Sequence, residues 1–163
     1  MQPAVTASTT VSSSGLPEAN RILFAAIAVL SLTGVMVSAF SLQRHYAKSA
    51  TEFCDFSQRF SCDIVNRSEQ SSIVGIPVAG IGVAGYGALL FLASFGRSRP
   101  QTPNRLLGAA IAGLVFALYL TYIEAYVLET WCILCLTSLA VIVFITFLAI
   151  AVRLRTAKRT EKA

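Results

Sequence analysis

Charged side chains are scarce in this chain. Only 13% of its 163 residues are Asp, Glu, Lys or Arg, whereas a soluble domain carries about 25%. Hydrophobic residues make up 55% of the chain, and the mean hydropathy is +0.69. This balance argues against an ordinary soluble domain and indicates a single membrane-embedded unit.

The scarcity of charge is concentrated in four apolar segments, each longer than 20 residues. Three of them contain no charged residue, and the third contains only Glu124. About 20 helical residues cross the hydrocarbon core, and a helix satisfies its own backbone groups there. We therefore predict an all-α integral membrane protein, a bundle of four transmembrane helices over residues 22–42, 73–95, 106–128 and 131–152.

The remaining chain divides around these segments. Residues 1–20 are rich in Ser, Thr, Ala and Pro and lack an apolar pattern, so we predict a disordered leader. A four-helix catalytic domain is predicted over 21–152 with an outer loop at 43–72, followed by a basic tail at 153–163. An alternative is a signal sequence cleaved after residues 37–39, which leaves three spans. The leader has no basic residue before Arg21, which disfavours cleavage.

Basic residues predict the orientation, because cytoplasmic loops are enriched in Lys and Arg. The loop between the second and third segments and the C-terminal tail are both basic, whereas residues 43–72 hold four basic and four acidic side chains. Both chain termini are therefore predicted to be cytoplasmic, and loop 43–72 lies outside. The net charge of +5 is then a topology signal, and we predict no nucleic-acid binding.

The four cysteines form two close pairs that are predicted to lie on the outer side. Cys54 and Cys62 lie in the polar loop, while Cys132 and Cys135 form a Cys-x-x-Cys at the start of the fourth segment. Residues three apart at a helix start share a face, and the helix dipole there favours the thiolate that disulfide exchange requires. Because disulfides persist outside the cytosol, we predict a redox relay between the two pairs.

Two other interpretations of the cysteines stay open at this point. Two structural disulfides could brace the outer loops of a non-enzymatic scaffold. Alternatively, four thiolates could bind a metal ion, although structural zinc sites usually have shorter spacing within each half.

Several other polar and aromatic residues lie near the predicted outer interface. We predict that Glu124 and Glu129 are solvated there and that His45 is an exposed interfacial side chain. Tyr119, Tyr122, Tyr126 and Trp131 fit an interfacial aromatic belt. The glycines that follow Pro77 in the second segment favour close helix packing.

A combination of short motifs now points to a known family. Cys54-Asp55 is followed by Cys62, and Ser68 comes six residues later; Gly75-Ile76-Pro77 opens the second segment, and Cys132-Ile133-Leu134-Cys135 follows a helix with Tyr119-Leu120-Thr121-Tyr122. Over about residues 20–152 this combination resembles the vitamin K epoxide reductase family. The short outer loop resembles bacterial members, which oxidise extracytoplasmic thiols in the plasma membrane. Many of those members carry a fused thioredoxin-like domain; because this chain ends at Ala163, we expect a separate thioredoxin-fold partner.

The resemblance implies a role for each matched residue. Cys54 takes electrons from the partner, and Cys62 passes them to Cys132 through a mixed disulfide. Cys135 contacts and reduces a quinone of the menaquinone, ubiquinone or vitamin K type, and Ser68 can hydrogen-bond a quinone carbonyl. The active site then faces the periplasm or extracytoplasmic side, and no metal site is expected.

Overall fold

The computed structural model describes residues 18–46, 65, 72–73, 75–96, 99 and 101–160. Three of the predicted site residues, Cys54, Cys62 and Ser68, lie outside these described residues. Most of the predicted leader lies outside them as well, and its last residues, from Glu18 onward, belong to the first helix.

Four helices in the described part of the chain are long and apolar enough to cross a membrane. They are α1 Glu18–Tyr46, α2 Val78–Phe95, α3 Thr102–Tyr126 and α4 Ile133–Thr160. Each overlaps one predicted segment, which confirms the predicted four-helix architecture. Helix α4 continues eight residues past the predicted end at Val152, because the residues that follow include good helix formers and neither Gly nor Pro. The first residues of the predicted tail therefore belong to this helix.

The second apolar segment differs from its prediction at its start. Residues 72–77 form a small antiparallel hairpin, β1 Ser72–Ile73 with β2 Ile76–Pro77, and α2 begins only at Val78. Gly75 has φ of 78°, which suits the third position of a tight turn and favours glycine. Pro77 has extended ψ of 132° and precedes the helix. The helix therefore begins five residues after the predicted start of this segment at residue 73.

The helices run up and down, so the bundle has two distinct ends. At the cysteine end, α1 finishes at Tyr46, α2 begins, α3 finishes at Tyr126 and α4 begins. The opposite end, called the basic end below, carries Arg99, Arg105, Arg153, Arg155 and Lys158, all exposed. Helix α1 packs along α2 and α4, and α3 packs along α4, while the contact between α2 and α3 is looser.

The apolar core is concentrated toward the basic end. Its fully buried members include Ile27 of α1, Leu106 of α3 and Ile145 of α4. Toward the cysteine end the four helices line a cavity. The well-packed apolar core therefore lies at the basic end, and the cavity lies between this core and the cysteine end.

Two glycines allow α1 and α2 to approach closely. A Cβ on Gly34 would collide with the ring of Tyr86, and a Cβ on Gly82 would lie 2.7 Å from the Ser38 hydroxyl oxygen. This agrees with the predicted packing role of small residues. Gly85 differs, because a Cβ there meets nothing within 4 Å and the residue lines the cavity.

Candidate active site

The turn that joins α3 to α4 brings the Cys-x-x-Cys back onto the end of α3. The main-chain N–H of Leu128 donates to the main-chain carbonyl oxygen of Ile123 at 3.0 Å. The main-chain N–H of Thr130 donates to the main-chain carbonyl oxygen of Glu124 at 3.2 Å. Glu129 completes the reversal with a left-handed φ of 49°. Cys132 therefore begins α4 directly beside the last turn of α3.

The two cysteines of the motif occupy the start of α4, as predicted. The Cys132 carbonyl accepts the N–H of Leu136 at 3.0 Å, which makes Cys132 the residue that caps the helix, just outside its first residue, Ile133. Cys135 lies within the first turn. Both sulfurs thus lie near the positive end of the helix dipole.

A cavity of about 430 Å³ lies between the four helices toward the cysteine end. Its walls are mostly apolar, and its size falls within the range of about 300–1,000 Å³ that is common for small-molecule sites. Seven lining residues carry polar or titratable side chains: Ser38, Ser41, His45, Tyr86, Glu124, Cys135 and Ser138.

Cys132 and Cys135 have different surroundings. Cys135 is half-buried and forms part of the cavity wall. Cys132 has no exposed surface and packs in a small cluster with Val65, Leu128 and Leu134. Val65 lies between α1 and β1 in the sequence, and Val65, Leu128 and Leu134 also line the cavity. Cys135 is therefore part of the cavity wall, and Cys132 is buried beside residues of that wall.

Glu124 connects the two cysteines. Its side chain is only 2% exposed, and its Oε2 accepts the Cys132 main-chain N–H at 3.2 Å. The carboxyl group also hydrogen-bonds the Cys135 side chain. The prediction that Glu124 is solvated is therefore wrong. Its position as the sole charged residue in the four apolar segments was the available signal.

Tyr86 and Ser138 form a second polar point on the cavity wall that the sequence analysis did not identify. The buried Tyr86 hydroxyl donates to the Ser138 carbonyl oxygen at 2.8 Å and lies 2.9 Å from the Ser138 hydroxyl. Cys135, Ser138 and Ile142 recur at positions i, i+3 and i+7 of α4 and all line the cavity. This helical spacing from Cys135 could have identified the face.

The remaining interfacial predictions have mixed outcomes. His45 is half-buried and lines the cavity, so the prediction of an exposed side chain is wrong. Tyr119, Tyr122 and Tyr126 are exposed on the outer surface of α3, as a lipid-facing belt requires. The rings of Tyr122 and Tyr126 stack with centroids 4.8 Å apart.

Fold and site together define a multi-pass membrane protein with a Cys-x-x-Cys at the edge of an apolar cavity. The vitamin K epoxide reductase family matches residues 25–150, and the chain belongs to this family. It is therefore a membrane thiol-disulfide oxidoreductase. This confirms the resemblance found in the sequence and disfavours the structural scaffold.

Members of this family use quinones, and the cavity fits such a group. Its walls are apolar, as a lipid-soluble ring requires, and it opens between helices rather than within a solid core. Few polar groups interrupt these walls, and Cys135 carries one of them.

Proposed function

We propose that this protein carries electrons from a thioredoxin-fold partner to a quinone and so supports disulfide bond formation. Electrons pass from the partner to Cys54 and Cys62, then to Cys132 and Cys135, and finally to the quinone. The observation that carries this proposal is the placement of Cys135 on the cavity wall, with Cys132 buried next to it and packed against Val65.

Cys135 is the residue that meets the quinone. When Cys132 and Cys135 are oxidised, a sulfur–sulfur bond forms and two electrons and two protons leave the pair. A bound quinone can accept the two electrons and the two protons. Ser68 remains a proposed hydrogen-bond donor to a quinone carbonyl, on the family resemblance alone.

The contact between Val65 and Cys132 supports the transfer from the loop pair. Val65 packs against Cys132 and follows Cys62 by three residues in the sequence. Three consecutive Cα–Cα steps span at most about 11 Å, so only a short stretch of chain separates Cys62 from the residue that packs on Cys132. In the exchange that this closeness in sequence favours, the Cys62 thiolate attacks the Cys132 sulfur of an oxidised Cys132–Cys135 pair. The Cys62–Cys132 bond forms, the Cys132–Cys135 bond breaks, and Cys135 leaves as a thiolate.

The charges at the two ends of the bundle support an outward-facing cysteine end. The basic end carries exposed Arg and Lys side chains on α4 and around the start of α3, as expected for a cytoplasmic face. The partner then meets Cys54 and Cys62 outside the cytoplasm, where disulfides persist.

This orientation predicts the location of a C-terminal reporter. An alkaline phosphatase fused after Lys162 should be inactive and a fluorescent protein at the same point should be bright, because both stay in the cytoplasm. The same two reporters inserted in the polar loop at Ser57 should give the reverse result. Active phosphatase at Lys162 would contradict the orientation.

Replacement of Cys54 with alanine should separate the two electron donors. Quinone reduction by a reduced thioredoxin-fold protein should fall by at least about 10³-fold, since removal of a covalent nucleophile can cost about 10⁶-fold. Reduction by a small dithiol should persist, because a small thiol can reach the half-buried Cys135 without the loop pair. The measurement is quinone absorbance with purified protein and each donor in turn.

The matched control is Ser57→Ala in the same polar stretch, which should leave both rates unchanged. Equal loss of both rates in Cys54→Ala would argue against the shuttle role. If wild-type protein reduces quinone with neither donor, the proposed function itself is wrong.

A further inference from the structure

Glu124 is a buried carboxyl group that the electron path does not explain. It is the only charged residue in the four apolar segments of the sequence, and it is 2% exposed. Glu129, five residues later, is exposed in the turn. Burial of a carboxylate in a membrane protein is unfavourable unless the group is hydrogen-bonded, and such groups commonly mark a site of proton or ion chemistry.

The two carboxylate oxygens of Glu124 have different environments. Oε2 accepts the Cys132 N–H at 3.2 Å, and this bond ties the side chain to the start of α4. Oε1 is buried and has no hydrogen-bond partner among the described residues. The carboxyl group also contacts the Cys135 side chain and lines the cavity. The bond at Oε2 thus positions the carboxyl group next to Cys135, and the group has unused capacity to accept a proton.

We propose that Glu124 accepts the proton of the Cys135 thiol and relays it to the quinone cavity; this inference rests on the proposed function. In the first step the S–H bond of Cys135 breaks, its electron pair stays on sulfur, and an O–H bond forms on Glu124. Formation of the Cys132–Cys135 disulfide then releases two electrons and two protons to the quinone. Glu124 delivers the Cys135 proton, and the second proton comes from the Cys132 thiol.

The electrostatics of the site favour such a transfer. The N-terminus of α4 stabilises a negative charge nearby, but a carboxylate and a thiolate in contact repel each other in a low-dielectric environment. Movement of the proton from sulfur to carboxylate keeps the total at one negative charge. The other titratable groups that line this cavity are His45 from α1 and Tyr86 from α2.

A purely structural role makes a different prediction. If Glu124 only holds the start of α4 through the Cys132 N–H, its replacement should loosen the turn and change thiol reactivity and turnover together. If Glu124 relays protons, loss of its charge should make the Cys135 thiolate easier to form while turnover becomes slower. The two rates then move in opposite directions.

The test measures both rates in full-length protein. The first is the alkylation rate of Cys135 by N-ethylmaleimide at fixed neutral pH, in a background with Cys54, Cys62 and Cys132 replaced by serine. The second is quinone reduction by the four-cysteine protein with a small dithiol donor. Both are compared between wild type, Glu124→Gln, Glu124→Asp and the control Glu129→Gln.

Glu124→Gln should speed alkylation several-fold, because the helix N-terminus acts alone on the sulfur. The same change should slow quinone reduction about 100-fold, at the lower end of the usual contribution of a positioned acid or base. Glu124→Asp should show the same divergence to a smaller extent, and it provides the comparison if the glutamine variant does not fold. Glu129→Gln should match wild type in both measurements.

Unchanged quinone reduction in Glu124→Gln, or alkylation that is unchanged or slower, overturns the relay. Parallel loss of both rates overturns it in favour of the structural role. A wild-type protein that reduces no quinone shows instead that the proposed function is wrong. The alkylation rates need no quinone, so they decide independently whether Glu124 and Cys135 share a proton.

Discussion

Replacement of Cys135 with alanine should abolish quinone reduction with every donor, whether protein or small thiol. Cys135 is the only cysteine among the described residues that lines the cavity, so no other described sulfur can meet a ligand there. We expect a loss of at least about 10³-fold, in line with removal of a covalent nucleophile. Cys54→Ala should leave the small-thiol reaction intact. The two variants therefore distinguish the pair that receives electrons from the partner from the pair that reduces the quinone.

The measurement is quinone absorbance with purified protein and either donor. Thr137→Ala is the matched control, because Thr137 lies two residues after Cys135 on α4 but is exposed and does not line the cavity. Cys132→Ala should also stop turnover, since no disulfide can form, yet a bound quinone should still protect Cys135 from alkylation. Full activity in either cysteine variant contradicts the proposed electron path.

Replacement of Gly85 with leucine should selectively weaken quinone binding. Gly85 lines the cavity, and an added Cβ meets no atom within 4 Å, so the new side chain can grow into the space proposed for the ring. An overpacked site typically loses about 1–3 kcal/mol, which corresponds to about a 5- to 140-fold weaker affinity. The KM for a short-chain quinone should rise by that factor while kcat changes little.

Gly87→Leu is the matched control for this experiment. Gly87 lies two residues along the same helix and also has nothing within 4 Å of an added Cβ, but it does not line the cavity. Its KM should equal that of wild type. Equal effects of the two leucines would show that the cavity is not where the quinone binds.

The membrane architecture was predictable because the signal is long and simple. Each of the four apolar segments exceeds 20 residues, and helices are the way for a single chain segment to satisfy its backbone in lipid. The boundaries were less predictable. The hairpin before α2 has strands of two residues, too short to show the alternating pattern that identifies a strand.

The chemistry of the site was predictable only in part. The spacing of Cys132 and Cys135 indicated a dithiol at a helix start, and the fold places it there. The spacing did not predict that Cys135 lines a cavity or that Cys132 packs against Val65. The roles of Cys54, Cys62 and Ser68 remain predictions from the family pattern, since these residues lie outside the described part of the chain.

The environment of Glu124 shows why local sequence was insufficient. A carboxyl group near the end of an apolar segment is equally compatible with water and with burial. Its burial follows from the turn after α3, which folds Cys132 back so that its N–H reaches Glu124 across eight residues. His45 is a similar case. Its side chain lines the cavity, and this depends on how α1 packs against the other helices rather than on the residues next to it in the sequence.

The sequence by itself determined the number of membrane helices, the position of the dithiol at the start of the fourth one, and the family to which the protein belongs. These properties depend on hydropathy, on periodicity and on spacing along one chain segment. Only the tertiary structure decided that a cavity lies between the four helices, that Cys135 forms part of its wall and that Glu124 is enclosed beside both cysteines. Those properties depend on how separate helices pack, because the side chains that meet there are far apart in sequence.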